Sequence, residues 1–401
     1  MRMPILPRTA MWIAAVGTCA ALVAGCASAL EPKAVPEPQA ITTADFATDG
    51  PGSLVEAMTI PTFDRSVSNL GGTTAKVLYR STSGIDGTPT EVSGALFVPP
   101  GDPPPGGWPV MAFAHGTTGI QQECAPSASN DLLGSVGLIK SYLELGFAVA
   151  AADYQGLGTD GNHPYLDNRT AGLNVIDSVR ALRKLSPSVS NRWAAFGGSQ
   201  GGGATWAANE QAAGYASELE LVGTVSLVPS ADMSGIVRKA LDGTLTDDQA
   251  AAYIWMLMGL QKSYPDLRID DYISGVVREN WDVLGACSGP EGNQRGEILS
   301  QMSADDVEPA SSEAASLLTS LLERTALPIG PASAPMMVIY AGRDSFIDTR
   351  WTDDAIAEGC ALGSVIEADF QPDKGHGDVD GGASVQWLGE RFGGQPAPNN
   401  C

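Results

Sequence analysis

The sequence predicts an α/β protein whose mostly parallel sheet carries helices on both faces and is interrupted by a mainly helical insertion. Three observations predict it. Short apolar runs at Val110 to Ala114, Phe147 to Ala152, Trp193 to Phe196, Leu221 to Val228 and Met336 to Tyr340 read as strands buried on both faces, as parallel strands are. Between them lie stretches of helical period, one with Leu132, Val136, Ile139 and Leu143 on a face and another with Leu173, Ile176, Val179 and Leu182. The alternation stops near Pro229 and resumes near Pro335, and the stretch between is mostly helical in pattern. The expected organisation is a core in two parts, residues 53–230 and 331–401, around a helical cap at 231–330. Within the first part, Thr73 to Pro99 alternates like antiparallel edge strands, with Val77, Leu78 and Tyr79 followed by Val92, Ala95, Leu96, Phe97 and Val98.

Composition limits the class of partner. The 401 residues are 43% hydrophobic and 17% charged, which is ordinary for a folded chain. Net charge is -23, and without residues 1–25, which hold Arg2 and Arg8 but no acid, it is -25. Nucleic-acid binding rests on neutralising phosphates with Lys and Arg, so that function is excluded, as is electrostatic docking on anionic lipid.

The N-terminus carries an export signal: a basic start, an apolar middle from Ala10 to Ala24 and small residues before Cys26. Residues 1–25 are expected to be removed. Leu22-Val23-Ala24-Gly25-Cys26 resembles a lipobox, which would make Cys26 a lipidated N-terminus and a membrane anchor; the competing site, Ala27-Ser28-Ala29, would release a free protein. Residues 26–52, with Pro32, Pro36, Pro38 and Pro51 and no apolar period, read as a tether. Either cleavage leaves Cys124, Cys287, Cys360 and Cys401, an even set in an oxidising compartment, and two disulfides are expected. The cysteines lack C-x-x-C spacing and His115, His163 and His376 are far apart in sequence, so no metal or other cofactor is expected.

The chemistry is concentrated at Gly197-Gly198-Ser199-Gln200-Gly201, a G-x-S-x-G motif between a strand and a helical pattern from Ala204 to Ala213. Gly201, Gly202 and Gly203 oppose helix formation by up to about 3 kcal/mol together, so close packing must require them. This is the context of a nucleophile elbow, which implies an α/β-hydrolase fold with Ser199 as nucleophile. A serine needs a base and the base an orienting acid. In the fold's order of Ser, acid, His, the base is His376, the histidine that follows Ser199, in a glycine-flanked loop after the strand-like Val365 to Phe370. Asp344 is the first carboxylate past Met336 to Tyr340 and is the expected acid, with Asp348 as runner-up. The oxyanion donors are the backbone N–H groups of Gln200, after the nucleophile, and Thr117, in the His115-Gly116-Thr117-Thr118-Gly119 loop, where His115 reads as a structural support. Gly156-Leu157-Gly158-Thr159-Asp160-Gly161 fits a dinucleotide fingerprint, but His163-Pro164 follows it where a helix should open, so it reads as a tight turn.

Together with the elbow, the segments Asp153-Tyr154-Gln155-Gly156-Leu157-Gly158, His163-Pro164-Tyr165 and Cys124-Ala125-Pro126-Ser127 give the chain, from about residue 55 to its end, a form that resembles the secretory lipase family of fungi and actinobacteria, of the yeast lipase A type. The resemblance implies a helical lid, no metal, activity on carboxylic esters including acylglycerols, and disulfides Cys124–Cys287 and Cys360–Cys401. The His115-Gly116 loop departs from that of some fungal members.

The expected function is hydrolysis of lipid or short acyl esters through an acyl-enzyme. The alternatives are acyl transfer or amide cleavage by the same residues, or a non-catalytic surface protein on a hydrolase scaffold, which would have no need of all three side chains. The run from Ala250 to Leu260 is the most apolar in the mature chain and too short, at 11 residues against about 20, to cross a membrane. It reads as a helix packed in the centre of the cap, or alternatively as an acyl-chain wall presenting Trp255, Met256 and Met258.

Overall fold

A computed structural model describes residues 36–401. The signal segment and Cys26 lie outside the described residues.

Alternating side chains pack nine strands into one sheet. The chain runs β1 (Leu54–Thr59), α1 (Arg65–Ser68), β2 (Thr73–Thr82), β3 (Pro89–Val98), β4 (Trp108–Ala114), α2 (Val136–Glu144), β5 (Ala148–Ala152), α3 (Asn168–Leu185), β6 (Val189–Gly198), α4 (Gln200–Tyr215) and β7 (Glu220–Leu227). Strand order is β1-β2-β3-β5-β4-β6-β7, followed by β8 (Met336–Ala341) and β9 (Ile366–Gln371). Pairings from β1 to β3 and between β3 and β5 are antiparallel; all the others are parallel.

Strand period decides which helix each residue meets. Val110, Ala112 and Ala114 of β4 join Val175, Ile176, Val179 and Leu182 of α3 and Ala204 and Ala208 of α4 in one cluster. Met111 and Phe113 point to the opposite face, where they join Ile139, Tyr142 and Leu143 of α2 and Trp387 and Leu388 of α12 (Ala383–Phe392). Both faces of the sheet's centre are covered, so its strands are mostly apolar, as β5 with its five buried residues illustrates.

Between β7 and β8 the chain forms α5 (Ile236–Leu241), α6 (Asp247–Ser263), α7 (Gly275–Glu279), α8 (Trp281–Leu284), α9 (Gly289–Leu299) and α10 (Ser312–Glu323), and α11 (Thr349–Ala361) follows β8. The inserted helices share their own apolar cluster, into which Ile120, Tyr165, Leu166 and Ile347 from core loops also pack. Its centre is α6. Thr246 and Gln249 start this helix reciprocally, each side chain bonded to the other's backbone N–H at 3.1 and 3.2 Å, which satisfies two of the orphan donors of a helix start.

Two expectations are corrected. The tether does not extend to residue 52, because from Gln39 the chain is bound to the body: Thr59 N donates to Gln39 O and Ile41 N to Ala57 O, both at 2.9 Å, and Asp45 pairs with Lys184 at 2.7 Å. Backbone pairing on β1 needs no apolar period, so sequence pattern alone does not signal it. Leu132 lies outside α2, in a left-handed turn with Leu133 (φ 52° and 51°), although it is buried with the helix's own apolar face.

The disulfides are Cys124–Cys287, joining the loop after β4 to the inserted region, and Cys360–Cys401. They span 163 and 41 residues, and closing the longer loop in the unfolded chain costs about 1 kcal/mol more entropy. Replacing Cys124 and Cys287 by serine is expected to lower stability by about that much more than replacing Cys360 and Cys401. Denaturant titration of the two variants measures it, and thiol mapping of the unreduced wild type is expected to find none of the four free.

Candidate active site

Loops leaving the C-terminal ends of β4, β6, β8 and β9 supply the site, the edge at which open α/β sheets bind ligands. Ser199 occupies the turn from β6 into α4 with φ 58° and ψ -119°, a region costing a non-glycine residue about 1–3 kcal/mol. Its neighbours explain how the turn is held. A Cβ on Gly201 would lie 2.0 Å from Ala114 O, one on Gly202 2.6 Å from Leu227 O, and one on Gly203 2.2 Å from Asn168 Oδ1. Gly201 and Gly202 therefore let α4 begin in contact with the backbones of β4 and β7, and Gly203 leaves room for the Asn168 side chain at the start of α3.

His376 Nε2 lies 3.0 Å from Ser199 Oγ, and His376 Nδ1 lies 2.8 Å from Asp344 Oδ2. The carboxylate only accepts, so Nδ1 carries the proton and Nε2 is left bare to accept from the serine hydroxyl. Asp344 is buried, and its Oδ1 accepts from Phe346 N at 2.8 Å and Ile347 N at 2.9 Å, which fixes the carboxylate plane. The Phe346 ring stacks on the imidazole at 5.0 Å. Arg343 N donates to Lys374 O at 2.8 Å, tying the acid's loop to the histidine's. Asp348 is not at the serine; it accepts from Lys239 Nζ at 2.8 Å and Gln249 Nε2 at 2.8 Å, joining α5 and α6 to the core.

Two peptide planes beside the serine are pinned through their carbonyls. Ser199 O accepts from Gly203 N at 3.1 Å and Ser230 N at 3.2 Å, so the Gln200 N–H, across the same trans peptide, must point the opposite way. A Cβ on Gly116 would lie 3.9 Å from Ser199 Cβ, which brings the loop after β4 against the serine. His115 Nδ1 is 2.6 Å from Gly116 O and its Nε2 is 3.1 Å from Asp153 O. Burial pushes the His115 pKa down, and a neutral ring has one N–H for these two carbonyls. Holding the Gly116 carbonyl orients the Thr117 N–H in turn.

The model of the secretory lipase family matches residues 133–400, two thirds of the chain. The chain belongs to the secretory lipase family. A Mycobacterium tuberculosis protein named as a probable inactive lipase is 26% identical over 357 residues, 81% of this chain and 74% of that one. Among solved structures, Candida antarctica lipase A in its closed state superposes with TM-score 0.71 at 16% identity over 88% of this chain and 85% of that one. The rice cell wall degrading esterase of Xanthomonas oryzae does so with TM-score 0.66 at 19% identity over 86% and 95%. The chain has the α/β-hydrolase fold that its sequence predicts.

Trp255, Met256 and Met258 are buried in the inserted cluster. Trp255 Nε1 donates to Leu284 O at 2.8 Å, its ring meets Tyr165 edge-on at 6.0 Å, and the Arg295 guanidinium covers its face at 4.0 Å. The glycine fingerprint is a tight turn, with Gly156 and Gly158 at φ 78° and 72° and no helix before Asn168. Asp153 and Ser127 of the family segments bond to each other, the Asp153 carboxylate accepting Ser127 N at 2.8 Å as well as the Ser127 hydroxyl. Sequence reasoning missed Phe346 on the histidine, and it missed two contacts of the His163-Pro164-Tyr165 segment: His163 with Gln200 and Tyr165 with Thr117. That segment was visible as a motif, but nothing in its residue types says which loops it touches.

Gly201→Ala and Gly198→Ala should separate steric need from motif spelling. A Cβ at 198 meets nothing nearer than 3.7 Å, whereas at 201 it would displace the Ala114 carbonyl. Thermal unfolding is expected to leave Gly198→Ala near wild type and to cost Gly201→Ala about 1–3 kcal/mol or more.

Proposed function

We propose that this protein hydrolyses carboxylic esters, acylglycerols or shorter acyl esters, through an acyl-enzyme on Ser199. The observation that carries the reading is the continuous line from Ser199 Oγ through both ring nitrogens of His376 to a buried, backbone-anchored Asp344. It favours activity in this chain even though the mycobacterial relative is named as inactive. Acyl transfer and amide cleavage would use the same residues with a different acceptor or leaving group.

The geometry supports the following steps. Ser199 Oγ attacks the ester carbonyl as His376 Nε2 takes the hydroxyl proton, and Asp344 stabilises the imidazolium through Nδ1–H. The carbonyl electron pair moves to oxygen, where the N–H groups of Gln200 and Thr117 receive it. Collapse re-forms the carbonyl and expels the alkoxide, which is protonated from Nε2, leaving the acyl group on Ser199. Water then repeats the sequence: His376 takes its proton, the hydroxide oxygen bonds to the acyl carbon, and Ser199 leaves with the proton returned. Loss of one oxyanion donor costs about 100- to 1000-fold in kcat in enzymes of this type, and the pinned carbonyls of Ser199 and Gly116 keep these donors in place before substrate arrives.

Export agrees with the family, and Cys26 is the proposed lipid anchor. Replacing Cys26 by alanine is expected to release the protein into the medium; an unchanged location points to cleavage after Ala29.

Ser199→Ala is expected to abolish fluorophosphonate labelling and to lower kcat by about 10⁴-fold or more. Asp344→Asn should approach that loss, because it no longer fixes the imidazole tautomer, whereas Asp348→Asn should lower the melting temperature and impair turnover far less. Retained labelling in Ser199→Ala, or the two aspartates ranked the other way, overturns the assignment. If Met256 or Met258 lines the acyl groove, alanine there lowers kcat/KM for long-chain p-nitrophenyl esters more than for acetate, by up to about 0.8 kcal/mol for each acyl methylene left uncovered. Equal reductions at every chain length, with a lower melting temperature, place Met256 and Met258 in the packing of the insertion and outside the acyl groove.

A further inference from the structure

The segment Asn162–Tyr165, between β5 and α3, has no part in the triad yet touches both residues that carry the oxyanion N–H groups. His163 Nδ1 faces Gln155 O at 2.9 Å and therefore holds the ring proton. Its Nε2 is then an acceptor, and Gln200 Nε2 donates to it at 3.0 Å. Both side chains are buried, and burial pushes the His163 pKa down to about 4, so the ring stays neutral and keeps this polarity. Two residues on, the Tyr165 hydroxyl is 2.8 Å from Thr117 Oγ1. The His163 ring also lies parallel to Tyr154, which stacks on His115 at 4.3 Å and donates to His115 O at 2.9 Å. Two direct contacts, and a third relayed through Tyr154, therefore run from this segment to the two oxyanion loops.

Its other side is seated on α6. Asn162 Nδ2 donates to Gly259 O at 3.1 Å and to Ser263 Oγ at 2.7 Å. A Cβ on Gly259 would lie 2.9 Å from Tyr165 N and 3.2 Å from His163 O, so the helix meets the segment backbone to backbone. At its N-terminal end the same helix reaches the acid's loop, where Thr246 Oγ1 donates to Ser345 O at 2.5 Å.

We propose that Asn162–Tyr165 is a strap through which the inserted helix α6 sets the oxyanion site, with His163 and Tyr165 as positioning residues for Gln200 and Thr117. The inference rests on the ester-hydrolase reading above and adds to it a dependence of turnover on how α6 is seated. A donor displaced from the developing oxyanion loses most of its value in the transition state while substrate still binds, so a shifted strap lowers kcat and leaves KM alone. A strap that merely packs would change stability and leave the chemistry of the folded protein untouched.

The test uses the mature protein and p-nitrophenyl butyrate, with the rate of phosphonylation by a fluorophosphonate as a second readout. Gly259→Ala adds one methyl against the strap backbone, and Tyr165→Phe removes only the hydroxyl on Thr117. Each is expected to lower kcat and the phosphonylation rate by about 10- to 100-fold, with KM within twofold and the circular dichroism unchanged. Their effects should be less than multiplicative in the double variant, because both act through one strap. If Gly259→Ala fails to fold, Asn162→Ala cuts the two bonds to α6 without adding volume and carries the same expectation. Folded variants with wild-type kcat and phosphonylation rate, or with changes confined to KM or melting temperature, overturn the strap. A wild-type protein that neither turns over the ester nor is phosphonylated overturns the ester-hydrolase reading, and the strap's role falls with it.

Discussion

The contact on which the site depends is the one between the start of α4 and the backbones of the strands beside it. Ser199 is held in a left-handed conformation because α4 begins where any Cβ at 201 would overlap Ala114 O and any Cβ at 202 would crowd Leu227 O. The same closeness gives Ser199 N its acceptor, Leu227 O at 2.9 Å, and turns the Ser199 carbonyl toward Gly203 N and Ser230 N. The strain at one residue is thus offset by hydrogen bonds on both sides of it. The other groups of the candidate site are placed relative to this turn, since β4 and β7 pair directly with β6, and β8 and then β9 follow β7 in the same parallel sheet.

Around that turn the polar groups are arranged so that donors and acceptors determine one another. The bare Nε2 of His376 follows from Asp344 accepting at Nδ1, a carboxylate whose orientation is held by Phe346 N and Ile347 N on its second oxygen. The bare Nε2 of His163 follows in the same way from Gln155 O at its Nδ1. The two histidines share a tautomer but sit in different surroundings. His376 is partly open to solvent, whereas His163 is enclosed and held neutral.

What the sequence makes legible follows from the range of the interactions involved. The strands were readable because a strand buried on both faces must be apolar throughout, and Ser199 and His376 because the chemistry leaves few residue types and a fixed order. Gly201, Gly202 and Gly203 were readable as a packing demand because three glycines at a helix start are otherwise costly, and each proves to lack room for a Cβ. Asp344 could be preferred to Asp348 only by its distance from β8. What separates them physically is long-range: Lys239 and Gln249, over 95 positions earlier, claim Asp348. The docking of residues 39–52 and the contacts of His163 and Tyr165 were not legible, because a backbone bridge or a hydroxyl contact leaves no periodic trace in the chain.

The inserted helices are tied to the core at three kinds of linkage, each on a loop that also carries a site residue or leads to one. Cys124–Cys287 fastens the stretch between α8 and α9 to the loop after β4; Asp348 fastens α5 and α6 to the loop after β8; Asn162 fastens the end of α6 to the loop after β5. Moving the insertion as one body would break all of them, including a covalent bond and a partly buried ion pair between Lys239 and Asp348. A change in access that leaves them intact is therefore confined to the segments between the ties. The all-round burial of α6 follows from the same arrangement. A helix that spans the acid's loop at one end and the Asn162–Tyr165 segment at the other is enclosed by protein through its middle turns, so its tyrosine, tryptophan and two methionines face inward for packing reasons before any substrate is considered.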